Sequence, residues 1–386
     1  TFHTAVDFQS PNLGNWDVSK VTSLAYTFHL ASAFNADLYF WDVSNVTNMQ
    51  YTFNLATGFS GNDLSCWEVS QVSSRSAFNS KWGEGNVEPN WANGNCQGST
   101  PMDYDNAFQI TVYANSFDLV ADFSVDRYDY NYDVDCETDG SVDARNIQGV
   151  YTCEYDNDGS HLISISGDFP YFAAVQQEAE KITMINNWGN QVWASFYASF
   201  ASASNLTGIA DGAGIPKFQE AISLAHIFYN ASAFNADLSD WNMTNVTDLT
   251  RAFSEMLKFN SDVSHWDVSN VTNMHRTFFG SPRFQSDLSE WNVSNVTDMQ
   301  GMFVYNLAFN SDLSNWDVSN VTNMNSMFQL ASIFNQDLSS WDVGRVTIMD
   351  NMFHGAAAFS NQDLSCWDIS SVSSHDNFQT SWGDGN

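Results

Sequence analysis

The chain has 386 residues, 43 % hydrophobic and 15 % aromatic, with 30 Phe, 14 Trp and 14 Tyr. That is enough for two or three domains with sizeable cores, and it excludes a disordered chain. A formal net charge of −33, from 45 acidic and 12 basic residues, argues against binding to nucleic acid or anionic membranes and favours solubility and the attraction of divalent cations.

No apolar run reaches the roughly 18 residues of a membrane helix, and no signal peptide is visible at Thr1. The first residues already lie inside a repeat, so the chain reads as a piece of a longer one. Trp16, Trp41 and Trp67 recur at intervals of about 25 residues. They assign residues 1–86 to the C-terminal part of a first repeat solenoid. Residues 87–100, with Pro, Asn and Gly, read as a linker. From 101 to 170 the pattern alternates. Phe108-Gln-Ile110-Thr-Val112 and Leu162-Ile-Ser-Ile165 predict strands, and Tyr151-Thr-Cys153 predicts a strand facing Cys136. This stretch is expected to form a small all-β sandwich-like domain. Residues 171–215 are predicted to form a helical N-terminal cap, with a helix over Tyr171–Ile185 before the apolar block of Trp188, Trp193, Phe196, Phe200 and Leu206. Residues 216–386 read as a second repeat solenoid. In it Trp241, Trp266, Trp291, Trp316 and Trp341 recur at that same interval, and Trp367 follows one place later than the rhythm requires.

Each copy runs close to W-D-V-S-N-V-T-N-M-x-x-x-F-x-x-x-x-x-F-N-x-D-L-S. Val321, Met324 and Phe328 follow i, i+3, i+7, the spacing of a helix face, with Ser319 or Thr322 as its cap. Phe334 to Trp341 predicts one short strand. One strand and a short helix per copy is the leucine-rich-repeat plan. The predicted fold class is therefore an α+β repeat solenoid, leucine-rich-repeat-like, with about 25 residues per coil, interrupted by the sandwich-like domain. A copy this short cannot bury its apolar face alone, so the nine repeat tryptophans are the expected core of stacked copies. Trp16 and Trp316, Cys66 and Cys366, and Trp82-Gly83 and Trp382-Gly383 are each offset by 300, which predicts tandem modules of that length.

Cys66 and Cys96 lie 30 residues apart and Cys136 and Cys153 lie 17 apart, and both spacings suit local disulfides in an oxidising compartment. Cys366 has no later partner, and without a C-x-x-C pair zinc is not expected. Asp37, Asp63, Asp237, Asp262, Asp287, Asp312, Asp337 and Asp363 share one position, expected on the short strand. Stacked at roughly 4.8 Å, they would repel by about 1 kcal/mol per pair in water. Backbone N–H groups and neighbouring Ser or Asn could offset this, or bridging calcium. Asp133, Asp135, Glu137 and Asp139 alternate like the ligands of a calcium loop, although the spacing is incomplete and an acidic turn is the competing reading. Calcium is the one cofactor this pattern admits. Asn45, Asn205, Asn230, Asn242, Asn245, Asn270, Asn292, Asn295 and Asn320 head sequons. They are N-glycosylation acceptors in a eukaryotic secretory pathway and turn chemistry in a bacterium. His226, His265, His275 and His354 fall at differing repeat positions, and no Cys–His or Ser–His–Asp spacing is discernible, so no enzyme is expected.

The phrase W-D-V-S-N-V-T-N-M with F-N-x-D-L-S resembles the BspA-like leucine-rich-repeat surface proteins, with their 26-residue bacterial surface-protein repeat. Tyr130-Asn-Tyr-Asp-Val-Asp135, Gly149-Val-Tyr-Thr-Cys153 and Ile182 to Trp193 are similar to the module that precedes such arrays, and loosely to PKD-type sandwiches. The resemblance covers nearly the whole chain. It implies a secreted or surface-attached protein used in adhesion and binding, and it supplies no catalytic residue. No anchor or sorting signal is visible in this sequence, which leaves the mode of attachment open. The expected function is thus an extracellular, cell-surface structural or adhesive protein built of tandem modules, as a rod or filament. The alternative is a carbohydrate- or protein-binding repeat module without polymerisation. Ice or mineral binding by the threonines Thr22, Thr47, Thr247, Thr272, Thr297, Thr322 and Thr347 is a third reading. Expected partners are neighbouring copies of the chain or its further modules, and an extracellular protein or glycan, with neither nucleic acid nor membrane insertion.

Overall fold

A computed structural model describes residues 2, 4–6, 13, 16, 18–36, 38, 41–62, 64–65, 67–91, 102–119, 128–138, 142–174, 176–219 and 221–378. The chain divides into two compact units, Thr1–Met102 and Asp103–Asn386.

The second unit begins with a sheet. Its strands are β1 (Phe108–Asp118), β2 (Asn131–Asp135), β3 (Ala144–Ile147), β4 (Thr152–Asp168), β5 (Ile182–Trp188) and β7 (Gly208–Ile209), in the order β3-β2-β4-β1-β5-β7. Alternation places Phe108, Ile110 and Val112 of β1 inside, beside Ile163 and Ile165 of β4. The expected sandwich is corrected: among the described residues this is one six-stranded sheet, and it recruits strands from beyond residue 170. The expected helix over Tyr171–Ile185 is corrected too. Only α1 (Gln176–Lys181) is helical, and the chain becomes a strand at Ile182. Ile182, Ile185 and Trp188 are buried at intervals of three, which imitates a helix. The cause is two register shifts against β1, each giving β5 an extra residue and resetting its alternation. The other side of β5 then starts a stack of coils. It pairs in parallel with β7, and Thr207 and Ala210 donate their N–H groups to Thr183 and Ile185 carbonyls at 3.0 and 2.8 Å. Beyond it, β6 (Val192–Trp193) pairs with β8 (Lys217–Phe218), and β9 (Ile222–Ser223) with β10 (Val246–Asp248), both in parallel.

The coils themselves are built from turns. In the coil of Leu249, alternate amides reach the next coil: Leu249 N–H to Asn273 O, Arg251 to His275, Phe253 to Thr277 and Glu255 to Phe279, at 2.9, 2.8, 3.0 and 2.6 Å. The intervening amides close four-residue turns, Ala252 N–H to Leu249 O at 3.0 Å and Ser254 to Arg251 at 3.3 Å. Two residues per coil, four apart, have positive φ: Arg251 and Glu255, Arg276 and Gly280, Gly301 and Tyr305, Ser326 and Leu330, Asn351 and Gly355. They occupy the third place of successive turns, where type II geometry requires it. This overturns the α+β solenoid. A helix needs negative φ at every residue, and here the amides point sideways to a neighbour. The helix α1 is the only one among the described residues, and the rest is turns and mixed β-sheet. Ser319 and Thr322 cap nothing helical: Thr322 Oγ1 donates to Thr297 O at 3.1 Å. Phe334 to Trp341 forms no strand either, and each coil of Asp248 to Ser374 contributes one single-residue parallel bridge.

What stacks is aromatic. Phe278, Phe303, Phe328 and Phe353 form one column with ring centroids 6.0, 5.7 and 5.6 Å apart, and Phe284, Phe309, Phe334 and Phe359 form a second at 6.0, 6.1 and 6.1 Å. Trp316, Trp341 and Trp367 form a third at 6.5 and 6.4 Å. Indole fits there because its buried N–H needs an acceptor. Trp266, Trp291, Trp316, Trp341 and Trp367 each donate to a carbonyl of the preceding coil at 2.9–3.0 Å.

The first unit, by itself, repeats this design. Trp41 stacks on Trp67 at 6.3 Å and Phe28 on Phe53 at 5.3 Å, and Tyr26, Leu30, Tyr51 and Leu55 have positive φ. Trp16 departs from its expected core role. It is 56 % exposed, with Phe2 tilted against it at 6.1 Å. Val87 exchanges backbone hydrogen bonds with Asn62 and Leu64, and Trp91 lies edge-on to Phe78 at 5.1 Å, so this part of the expected linker packs on the last coil.

Candidate functional site

The disulfide forms between Cys136 and Cys153, both buried, with Cα atoms 5.6 Å apart, tying the end of β2 to the start of β4. Cys66 and Cys96 lie outside the described residues, and Cys366 is an exposed free thiol. Such a bond points to a non-cytoplasmic protein. Among the described residues no helix is long and apolar enough to cross a membrane.

The structure supplies protein donors to the carboxylates of the candidate calcium loop. Asp133 pairs with Arg145 at 2.9 Å and accepts Asn146 N–H. Asp135 is buried and accepts the Tyr104 hydroxyl at 2.7 Å and Glu137 N–H at 3.1 Å. Glu137 lies 3.9 Å from His161, and Asp139 is outside the described residues. Among the described residues no three His, Cys, Asp or Glu side chains gather as a metal site.

Asp37 and Asp63 are outside the described residues. The other members of their ladder sit at turns rather than on a strand. Asp237, Asp262, Asp287, Asp312, Asp337 and Asp363 each accept the N–H of the residue two places on, at 2.9–3.0 Å. In Asp237, Asp262, Asp287 and Asp337 that serine N–H, followed by the serine hydroxyl, holds the carboxyl below the ordinary aspartate range. A second ladder escaped the sequence reading: the residue after each tryptophan makes the same bond, as at Asp42, Asp267, Asn292, Asp317 and Asp368. The signal was there, in the recurrence of D-x-S or N-x-S. Between Asp262 and Asp287 lies a shallow open groove of about 400 Å³, lined also by Asn260, His265, Gln285 and Glu290.

Sequon asparagines are used between coils. Asn45, Asn270, Asn295 and Asn320 donate Nδ2–H to carbonyls 26 residues earlier at 2.7–2.8 Å, and Asn205 to Glu180 at 2.8 Å. Asn242 and Asn292 accept turn bonds, while Asn230 has a positive φ. Asn245 is half-buried, and its backbone carbonyl accepts Ile222 N–H at 2.9 Å. Thr47, Thr272, Thr297, Thr322 and Thr347 donate their hydroxyls to carbonyls 25 residues back at 3.0–3.2 Å.

One face brings two arginines together with Asp248, Glu255 and Asp298. His226, Arg251 and Arg276 share the first positive-φ position of three successive coils, joined by backbone hydrogen bonds from His226 to Thr250 and from Arg251 to His275. Arg251 lies over the Tyr229 ring at 5.9 Å and Arg276 over Phe279 at 5.1 Å. His226 packs edge-on to Tyr229 at 5.6 Å, and His275 stands 3.9 Å from Asp298. Burial, then Arg251, lowers the His226 pKa; burial leads for His275, with Asp298 opposing it.

The class these features define is a family of stacked short repeats. The family described as Mycoplasma protein of unknown function, DUF285, matches residues 1–89, 194–305 and 277–382, more than half of the chain, and the chain belongs to it. The matched segments hold the coils of both units, and the strands β1 to β6 lie between them. No curated protein and no solved structure matches the chain.

Proposed function

We propose that this is an extracellular structural or adhesive protein, akin to the BspA-like surface repeats, whose coil arrays present a regular polar surface. The observation that carries this reading is the ladder at Asp237, Asp262, Asp287, Asp312, Asp337 and Asp363, where one exposed group recurs on coil after coil. A surface of equal, evenly spaced weak sites suits multivalent attachment, in which a polymer or a cell face engages several at once. The buried Cys136–Cys153 bond supports an oxidising location. Immunogold labelling of intact, unpermeabilised cells with antibody to the second array should decorate the surface. Label that appears only after permeabilisation would sink the reading.

A further inference from the structure

Trp266, Trp291, Trp316 and Trp341 each donate the indole N–H to a carbonyl 28 residues earlier, on the coil before. Trp241 breaks this rule. The carbonyl 28 residues before it is that of Ala213, which accepts Trp188 N–H at 2.9 Å instead. Pro216 stands where the preceding tryptophan would be. Among the described residues the Trp241 indole N–H has no acceptor, although Trp241 is only 6 % exposed. Trp188 and Trp193 lack acceptors too, but their N–H groups are sealed in the core. That of Trp241 is not sealed. In the column the indole edge faces the coil before, and here that segment, Ile209 to Ile215, forms with Trp241 the wall of an open cleft of about 440 Å³. Asp237 and Asp240 close its other side, and Asp211 stands on the loop.

We infer that this cleft binds a short neutral saccharide. One of its oxygens accepts the Trp241 N–H, and neighbouring hydroxyls donate to the carboxylates of Asp211, Asp237 and Asp240. The cleft asks for a ligand with both an acceptor and donors. Asp237 accepts one turn bond from Ser239 and keeps further lone pairs, and none of the ion pairs among the described residues uses the three carboxylates. A metal ion or an amine would satisfy the carboxylates but leave the indole donor facing a cation. An anion, or the carboxylate of a zwitterion, would meet three aspartates in a chain of net charge −33. A sugar hydroxyl both donates and accepts. Ile209 and Ile215 offer apolar ground to the C–H face of a sugar ring, and the space beside Gly212 and Gly214 is open. The volume falls in the range of roughly 300–1,000 Å³ typical of small-molecule clefts. The inference does not rest on the surface role proposed above, so failed labelling leaves it standing.

The test is titration of the whole ¹⁵N-labelled chain with a panel of neutral disaccharides (maltose, lactose, cellobiose, chitobiose and mannobiose), reading the indole N–H resonances by NMR. Calcium chloride and methylammonium chloride are titrated beside them. At least one disaccharide should shift the Trp241 signal while those of Trp291 and Trp316, already bonded to carbonyls, stay in place. Trp241→Phe, which also assigns the signal, keeps an aromatic ring and loses the donor. It should weaken binding about fivefold, the loss of one neutral hydrogen bond. D211N/D240N, at two exposed positions, should weaken it about tenfold, and carries the same comparison if the phenylalanine variant folds poorly. D156N/D158N removes as much charge from exposed positions on β4 and should leave binding unchanged. A Trp241 signal unmoved by the whole panel, equal shifts at Trp291 and Trp316, a larger response to calcium or methylammonium than to any sugar, or full binding by D211N/D240N would overturn the proposal.

Discussion

The sheet and the coil stack of the second unit share one hydrophobic core, continuous from Phe108 to Trp367, but they satisfy their backbones differently. In the sheet, β1 and β4 run antiparallel from Phe108↔Ile165 to Asp118↔Thr152, so one long ladder holds distant segments together. In the stack, a residue bonds either to an adjacent coil or within its own turn, so these partners lie no more than one coil away. The sheet should therefore open as a block, whereas the stability of the stack is a sum of nearest-neighbour contacts.

The largest effect that could break this comparison is a cavity in the middle of the stack. Phe303 lies between Phe278 at 6.0 Å and Phe328 at 5.7 Å, with Phe309 at 4.0 Å. Phe303→Ala should cost about 3–5 kcal/mol. Amide exchange should accelerate mainly in the coils flanking Phe303, while β1 and β4 keep their protection. Equal loss in both regions would mean that sheet and stack unfold as one unit.

The converse experiment is next in size. Replacing Cys136 and Cys153 together by serine removes a crosslink between residues 17 apart, worth about 3 kcal/mol by loop-closure entropy. Exchange should now rise in β2 and the first half of β4, with the coils beyond Trp266 unaffected. A uniform change across both regions would erase the distinction.

The two regions also differ in how far the sequence disclosed them. The strands of Phe108–Val112 and Leu162–Ile165 were legible because alternation with one buried face has few other meanings. So was the stacking, because tryptophans at a constant spacing must meet in any repeat coil. The helix in each coil was misread because Met324 and Phe328 open consecutive four-residue turns, and a step of four is shared by helix faces and strings of turns. Nothing local separates them: the positive-φ places hold Arg251, Ser326 and Leu330 as well as Gly301 and Gly355, so glycine does not announce the turn. The bulges of β5 hid that strand in the same way. Of the candidate sites, the Asp ladder could be read as hydrogen-bonded, but the His226–Arg251–Arg276 column could not. Its members look unrelated until their shared register is seen.

Those turn positions supply a prediction of about 1 kcal/mol. A left-handed conformation costs a non-glycine residue roughly 1–2 kcal/mol. Gly301→Ala, at φ 63°, should therefore lower the melting midpoint of the stack. Ser326→Gly, one coil on at φ 57°, should raise it slightly or leave it level, since the gain is partly offset by the flexibility that glycine adds to the unfolded chain. Were both changes to destabilise equally, helix-like backbone at these residues would become the better description.

The smallest effect, per residue, concerns protons. Asp237, Asp262, Asp287, Asp337 and Asp363 are held below the ordinary aspartate range by turn hydrogen bonds. A carboxyl depressed in the folded state stabilises it at any pH above its unfolded value of about 3.9, and that contribution fades as pH falls through the lower folded value. These side chains face solvent, so each contributes little. Acidification also relieves the repulsion within a chain of net charge −33, an effect of opposite sign. The two are separable, because asparagine fills the equivalent turn role at Asn242 and Asn292 without titrating. The melting midpoint of D262N/D287N/D337N should therefore fall less steeply than that of the parent between about pH 5 and pH 2. Identical slopes would show that the ladder of turn bonds does not sense acid at all.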